Sequence, residues 1–322
     1  GCSFPSPEAT AVGLAAAAWL PPTDLPVSTT PPVGRRYYWR VRACDEIGTC
    51  SAWSRVRYLD VGRTAGDYNG DGYADLAVGA RKQDATTTDA GVVYVYDGSA
   101  TGLPSAPSLS LANPDSPYGE HFGTAVAPAG DVNGDGYADL LVGEPAGGPR
   151  TVLGGAAFVY HGSSAGLPVL PSTTLVDPPA EFDAAFGRTV AGAGDVNGDG
   201  FADIAVGAPQ QDSGIANDGN VFVFLGSATG ILTAGAARVP PAESHSGGEF
   251  GSAVSAAGDI NRDGYADLLV GGPSFLGLAG PIGGAYYYLG SASGTSLAGV
   301  QLDAVLPYLT VPAAPLASCD VN

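Results

Sequence analysis

Methionine is absent from the 322-residue sequence and lysine occurs once, at Lys82. With 13 basic against 32 acidic residues the formal charge is −19. So few cations cannot build the basic face that neutralises phosphates, which excludes a nucleic-acid binder. Long apolar runs are lacking as well. The longest, Gly13 to Leu20, is far short of the roughly 20 residues that cross a bilayer, and no Lys or Arg precedes it to head a signal peptide. No membrane span is expected. With Gly1 first and no Met, the sequence reads as processed or as a piece of something longer.

What is present points to a folded, turn-rich chain. Hydrophobic residues make up 45%, enough for a sizeable core, and 49 Gly with 26 Pro suggest many turns between short strands. Four cysteines, Cys2, Cys44, Cys50 and Cys319, allow three full pairings. Cys44 and Cys50 bracket a stretch suited to two strands joined by a turn, and a disulfide there implies an oxidising compartment. The other reading is two free thiols in a reducing cell. Cys2 and Cys319 pair with each other or with partners outside the chain.

Self-similarity organises the rest. Asp67 to Asp75 recurs at Asp131 to Asp139, Asp195 to Asp203 and Asp259 to Asp267, each copy 64 residues after the last. The same period governs a Gly-Ser pair at Gly98, Gly162, Gly226 and Gly290, and a Phe-Gly pair at Phe122, Phe186 and Phe250. Repeat one has Tyr58-Leu59 instead of Phe-Gly. Each unit carries apolar runs that read as strands buried on both faces. They cover Ala74 to Gly79 and Val92 to Tyr96, Ala138 to Gly143 and Ala156 to Tyr160, Ala202 to Gly207 and Val221 to Phe224, and Ala266 to Gly271 and Ala285 to Tyr288. About four strands per unit, packed face to face with copies of themselves, describe all-β propeller blades. An extended solenoid is the alternative, disfavoured because solenoid repeats are shorter, at about 20 to 45 residues.

The acidic segments carry the chemistry. Clustered carboxylates repel one another unless a cation sits among them. Oxygen donors at positions one, three, five and nine, with the carbonyl at position seven, can be aimed at one centre. In repeat one these are Asp67, Asn69, Asp71, Tyr73 and Asp75. Repeat two supplies Asp131, Asn133, Asp135, Tyr137 and Asp139, and repeat three Asp195, Asn197, Asp199, Phe201 and Asp203. Repeat four supplies Asp259, Asn261, Asp263, Tyr265 and Asp267. An all-oxygen set suits Ca²⁺ and not Zn²⁺, which would recruit His or Cys. About four Ca²⁺ are expected, one per loop. The loops are not EF-hands, because position twelve is Val78, Val142, Val206 and Val270. Arg262 stands where the other loops have Gly, weakening that site slightly. A metal-free structural turn is the bland alternative.

The residues from Phe122 to Val126 (FGTAV), Gly130 to Leu140 (GDVNGDGYADL) and Val142 to Pro145 (VGEP) resemble the FG-GAP repeat of the integrin α-subunit N-terminal propeller. Gly207-Ala208-Pro209 matches the second half of that name. The resemblance covers roughly 63 to 300. It implies a seven-bladed propeller, Ca²⁺ in the hairpin loops joining the first two strands of blades, and ligand recognition at the opposite rim. Only four repeats are present. Asp320-Val321-Asn322, which fall 61 residues after Asp259, match the opening of a further loop and favour a truncated chain over a smaller propeller. Upstream, Tyr37 to Ala43, Gly48 and Ser51 to Ser54 resemble the last two strands of a fibronectin type III domain. Alternation of Tyr38, Arg40 and Arg42 with Trp39, Val41 and Ala43 suggests a half-buried strand.

The expected organisation is a Pro/Ala-rich segment or incomplete domain over 1–34, a partial fibronectin type III-like β-sandwich piece over 35–62, the FG-GAP β-propeller over 63–313 and a tail over 314–322. The expected function is an extracellular, secreted or cell-surface module for adhesion or ligand recognition, meeting a protein or glycan at the propeller rim. The variable segments Arg81 to Ala90, Glu144 to Leu153, Gln210 to Asn220 and Ser274 to Ile282 are the candidate recognition loops. An enzyme is not expected, because His121, His161 and His245 sit at nonequivalent repeat positions beside no Ser or Cys motif. The alternatives are a non-catalytic accessory propeller of a secreted phospholipase or polysaccharide-degrading enzyme, and a structural surface stalk.

Overall fold

The computed structural model describes residues 25 and 27–302, apart from 46, 48, 55, 85–87, 115–120, 146–153, 179–180, 182, 213–214, 242–245, 278–279, 296–298 and the side chains of 274–282. Cys2, Cys319, His245, the Asp320 motif and most of the Pro/Ala-rich segment lie outside the described residues, as do parts of the variable segments.

The described chain is all-β. β1 (Arg35–Trp39) and β2 (Arg57–Val61) form a two-stranded antiparallel ribbon with Tyr38 opposite Tyr58. Four further antiparallel sheets follow, each with its strands in sequence order. The first contains β3 (Leu76–Ala80), β4 (Val92–Tyr96) and β5 (Leu109–Ala112). The second contains β6 (Ala125–Gly130), β7 (Asp139–Glu144), β8 (Ala156–Tyr160) and β9 (Thr173–Val176). The third contains β10 (Thr189–Gly194), β11 (Asp203–Ala208), β12 (Asn220–Phe224) and β13 (Ala237–Val239). The fourth contains β14 (Ala253–Gly258), β15 (Asp267–Gly277), β16 (Gly280–Tyr288) and β17 (Val300–Leu302). No helix among the described residues is long and apolar enough to cross a membrane.

The second and third sheets explain the continuous apolar runs. Every residue of β7, β8, β11 and β12 is buried, because each sheet packs on both faces. The Phe of each Phe-Gly pair lies between neighbouring sheets. Phe122 meets Phe158 edge-on at 5.6 Å, Phe186 meets Phe224 at 6.1 Å and Phe250 meets Tyr286 at 5.9 Å. Each such ring contributes about 1.5–3 kcal/mol through burial. Gly79, Gly143 and Gly207, at equivalent points of the first three sheets, let adjacent sheets close up. A Cβ on Gly143 would stand 2.0 Å from the Gly187 carbonyl oxygen of the next unit.

The first sheet departs from the four-strand expectation. The chain holds the blade geometry only as far back as Gly66, whose carbonyl accepts the Asp75 N–H at 2.9 Å; upstream it leaves to pair with β1. No inner strand lies beside β3 among the described residues, so Leu76 and Val78 are 44% and 42% exposed where Leu140 and Val142 are fully buried. A groove of about 180 Å³ remains there, lined by Leu76, Ala77, Val126 and Pro128.

The ribbon also differs from expectation. The strand ends at Trp39, and Tyr38, Trp39 and Val41 are all exposed, so the alternation from Tyr38 to Ala43 marks no buried face. Past Trp39 the chain continues as a loose hairpin: the N–H groups of Ser54, Ser51 and Asp45 donate to the carbonyls of Val41, Ala43 and Thr49 at 2.7, 2.8 and 2.9 Å, and Arg40 and Arg42 lie over the Trp53 ring at 4.4 and 4.3 Å. Cys44 and Cys50 are joined in a disulfide. Among the described residues this ribbon pairs with no third strand and lies against the acidic loops, not against a second sheet, so the fibronectin type III resemblance finds no support.

Candidate metal centres

Each acidic loop joins the first and second strands of its sheet, and in the first sheet it leads into β3. A β-bulge before each of loops two to four, with Gly130, Gly194 and Gly258 at φ 83, 76 and 70°, turns the first strand into the loop. Inside the loop the side chains bind backbone. In loop three, Asp195 Oδ1 accepts the N–H groups of Gly198 and Asp199 at 2.6 and 3.0 Å, and Oδ2 that of Gly200 at 2.9 Å. Asn197 Oδ1 accepts the Asp199 N–H, while Asp199 Oδ1 accepts that of Phe201, both at 3.0 Å. These successive Asx turns are what Asp and Asn encode locally. Loops one and four repeat the pattern through Asp67 and Asp259.

Position nine acts at longer range. Asp203 Oδ2 accepts the Val196 N–H and Oδ1 that of Gly226, both at 2.8 Å. Asp75, Asp139 and Asp267 make the same pair of bonds, to Tyr68 and Gly98, Val132 and Gly162, and Ile260 and Gly290. The Gly-Ser landmark is therefore the far anchor of the acidic loop. The loops also fasten neighbouring units together. The Asp131 carbonyl accepts the Ala202 N–H at 3.0 Å, and the Val132 carbonyl that of Ser227 at 3.1 Å.

Burial pushes these carboxyls up. Asp139 rises to about 8 and Asp203 to about 7, and Asp67, Asp75, Asp131, Asp195 and Asp267 move the same way, desolvation being the leading cause throughout. Among the described residues no three acidic, His or Cys side chains are gathered tightly enough to make a ready-formed cage. The carboxylates are turned to their own amides. A hard cation still fits the chemistry of the loops, whose donors are all oxygen and whose burial disfavours the charged form until a counter-ion joins it. Loop two adds a buried orphan, Asp131 Oδ1, which has no hydrogen-bond partner.

The FG-GAP repeat family matches residues 64–96, 122–161, 186–224 and 250–290, one match for each acidic loop. The chain carries four FG-GAP repeats. It is homologous to integrin α subunits. Integrin alpha-V of Gallus gallus is 30% identical over 245 residues, covering 70% of this chain and 21% of that protein. Integrin alpha-4 of Xenopus laevis is 32% identical over 216 residues, covering 66% and 20%. Integrin alpha-7 of Rattus norvegicus is 39% identical over 151 residues, covering 47% and 12%. The chain thus spans about a fifth or less of these relatives' length. The four FG-GAP repeats account for every acidic loop, and the first of them begins at residue 64, after the ribbon.

A second polar group, which no motif common to the four repeats marks, lies at the sheet ends away from the acidic loops. Buried Asp177 accepts the Glu181 N–H at 2.8 Å and the Gln211 Nε2 at 3.0 Å, and Glu181 Oε1 accepts the Asp212 N–H at 2.7 Å. These bonds tie the exit of the second sheet to the third. Its one signal was Gln83-Asp84 and Gln211-Asp212 standing at equivalent points two repeats apart.

Proposed function

We propose that the chain is an extracellular, calcium-binding propeller module of the integrin α type, serving adhesion or ligand recognition. The observation that carries this reading is the fourfold acidic loop, held by the same side-chain to backbone bonds within a homologous repeat. The four sheets are consecutive blades. In each loop the ligands are the carboxylates at positions one, five and nine, the Asn at position three and the carbonyl at position seven. Ca²⁺ supplies the positive charge that lets the carboxylates ionise together while clamping the turn between two strands. The Cys44–Cys50 disulfide suits the oxidising exterior where millimolar Ca²⁺ is found.

Recognition falls to the opposite rim, where the loops after each second strand differ between repeats. The partner is a protein or glycan, and no catalytic role is assigned. Two measurements on the isolated chain test the reading. Calorimetry reports whether Ca²⁺ binds at about four sites, and saturation at 100 times Kd raises stability by about 2.7 kcal/mol per site. A glycan and protein array with and without Ca²⁺ reports recognition. A melting midpoint indifferent to chelator refutes the clamp, and a blank array refutes adhesion.

A further inference from the structure

The acidic rim is covered from within the chain. The ribbon and its flanks reach all four loops. The Val33 N–H donates to the Gly70 carbonyl of loop one at 2.8 Å, and Arg36 Nη1 to the Gly200 carbonyl of loop three. Arg57 Nη1 stands 4.0 Å from Asp259 Oδ2 of loop four, and Arg63 Nη1 only 2.9 Å from Asp131 Oδ2 of loop two. Among these, Arg63 alone makes a close ion pair with a position-one carboxylate.

That ion pair coincides with a break in the repeated pattern. In loops one, three and four the position-one Oδ1 accepts the position-five N–H at 3.0 Å, from Asp71, Asp199 and Asp263 respectively. In loop two the Gly136 N–H still reaches Asp131 Oδ2, at 3.1 Å, and the Asp135 N–H keeps the bond to Asn133 Oδ1 that every loop has, but Asp131 Oδ1 takes no N–H and is left buried without a partner. Asp131 is turned toward the guanidinium. Sequence separation makes this a tertiary contact, since Arg63 and Asp131 lie 68 residues apart.

We propose that Arg63 gates loop two: its guanidinium and a divalent cation compete for Asp131, so this loop binds Ca²⁺ more weakly than the other three, and filling it loosens the ribbon. The inference rests on the Ca²⁺ reading above. Two cations around one small carboxylate repel each other, and an Arg–carboxylate pair must open or shift before Asp131 can turn both oxygens to an ion. Calcium concentration then becomes a signal read by the ribbon, which carries the exposed Tyr38, Trp39 and Leu59.

The test uses the full chain and Ca²⁺ alone. Calorimetry on wild type should show one site weaker than the rest. Arg63→Gln should tighten that site about tenfold, equivalent to about 1.4 kcal/mol, while Arg63→Lys, which keeps the charge, stays near wild type. Hydrogen exchange on wild type requires no variant. Saturating Ca²⁺ should speed exchange of residues 57–61 while slowing β7 and β8. Slower exchange of 57–61 in Ca²⁺, or identical site affinities in wild type and Arg63→Gln, overturns the gate and leaves the Ca²⁺ reading standing. Absence of any binding heat in both proteins overturns both.

Discussion

The Gly162 N–H donates to Asp139 Oδ1 at 2.9 Å across 23 residues of sequence, while Asp139 Oδ2 takes the Val132 N–H at 2.8 Å. One carboxylate thus ties the start of an acidic loop to the end of the third strand of its sheet. Gly162 has no room for a side chain, because a Cβ would lie 2.2 Å from the Ala138 carbonyl oxygen and 2.7 Å from that of Tyr68. Both obstacles are backbone and cannot swing aside.

Gly162→Ala should therefore destabilise the chain by about 3 kcal/mol, at the upper end of ordinary point substitutions. Chemical denaturation of the Ca²⁺-saturated chain checks this. A loss below about 0.5 kcal/mol would mean that the anchor has slack.

Buried carboxylates give the metal-free fold a distinctive pH profile. Asp139 titrates at about 8 in the folded chain against an ordinary 3.8, and Asp203 at about 7. Between pH 4 and 8 the folded state holds more protons than the unfolded one, so stability falls as pH rises through that window. Melts in chelator should give a higher midpoint at pH 5 than at pH 8, and Asp139→Asn should flatten the difference. Ca²⁺ should stabilise more at pH 8, where binding no longer has to expel a proton. A chelated midpoint that climbs from pH 5 to pH 8 contradicts the desolvation argument.

The acidic loops were legible in sequence because their order is local. Asx turns are written within nine residues, and the Gly at position six follows from the same turn chemistry. The Gly-Ser landmark was visible as a period, yet its reason was hidden, since Gly162 meets Asp139 only once the second and third strands of the sheet have paired. Tyr58-Leu59 in place of Phe-Gly marked repeat one as different without showing that the chain leaves to pair with β1. The alternation from Tyr38 to Ala43 misled, because a period of two reports a buried face only when something packs on it. Arg63 carried no signal at all, its partner being fixed by how the ribbon crosses the rim.

The open flank of the first sheet can be tested by an equivalent pair of substitutions. Val78 and Val142 occupy the same repeat position, but Val78 is 42% exposed and Val142 is fully buried between sheets. Val142→Lys should cost more than about 4 kcal/mol by burying an unpaired charge, and Val78→Lys should stay within about 0.5 kcal/mol. Soluble yield and urea midpoints of the two variants decide it. Equal losses would show that β3 is covered in solution.

Arg262 offers the last test, on the one acidic loop that departs from the glycine pattern. It holds φ at 60°, where Gly70, Gly134 and Gly198 hold 72, 74 and 73°. A left-handed backbone costs a residue with a side chain about 1–2 kcal/mol. Glycine escapes that cost but loses about 0.5–1 kcal/mol more conformational entropy on folding. Arg262→Gly should thus raise stability by about 0.5–1 kcal/mol, seen as a higher urea midpoint at unchanged m-value. Removing a cation beside Asp263 should also tighten Ca²⁺ at loop four, in the same direction as Arg63→Gln at loop two. A lower midpoint would show that the Arg262 side chain contributes more than its backbone strain removes.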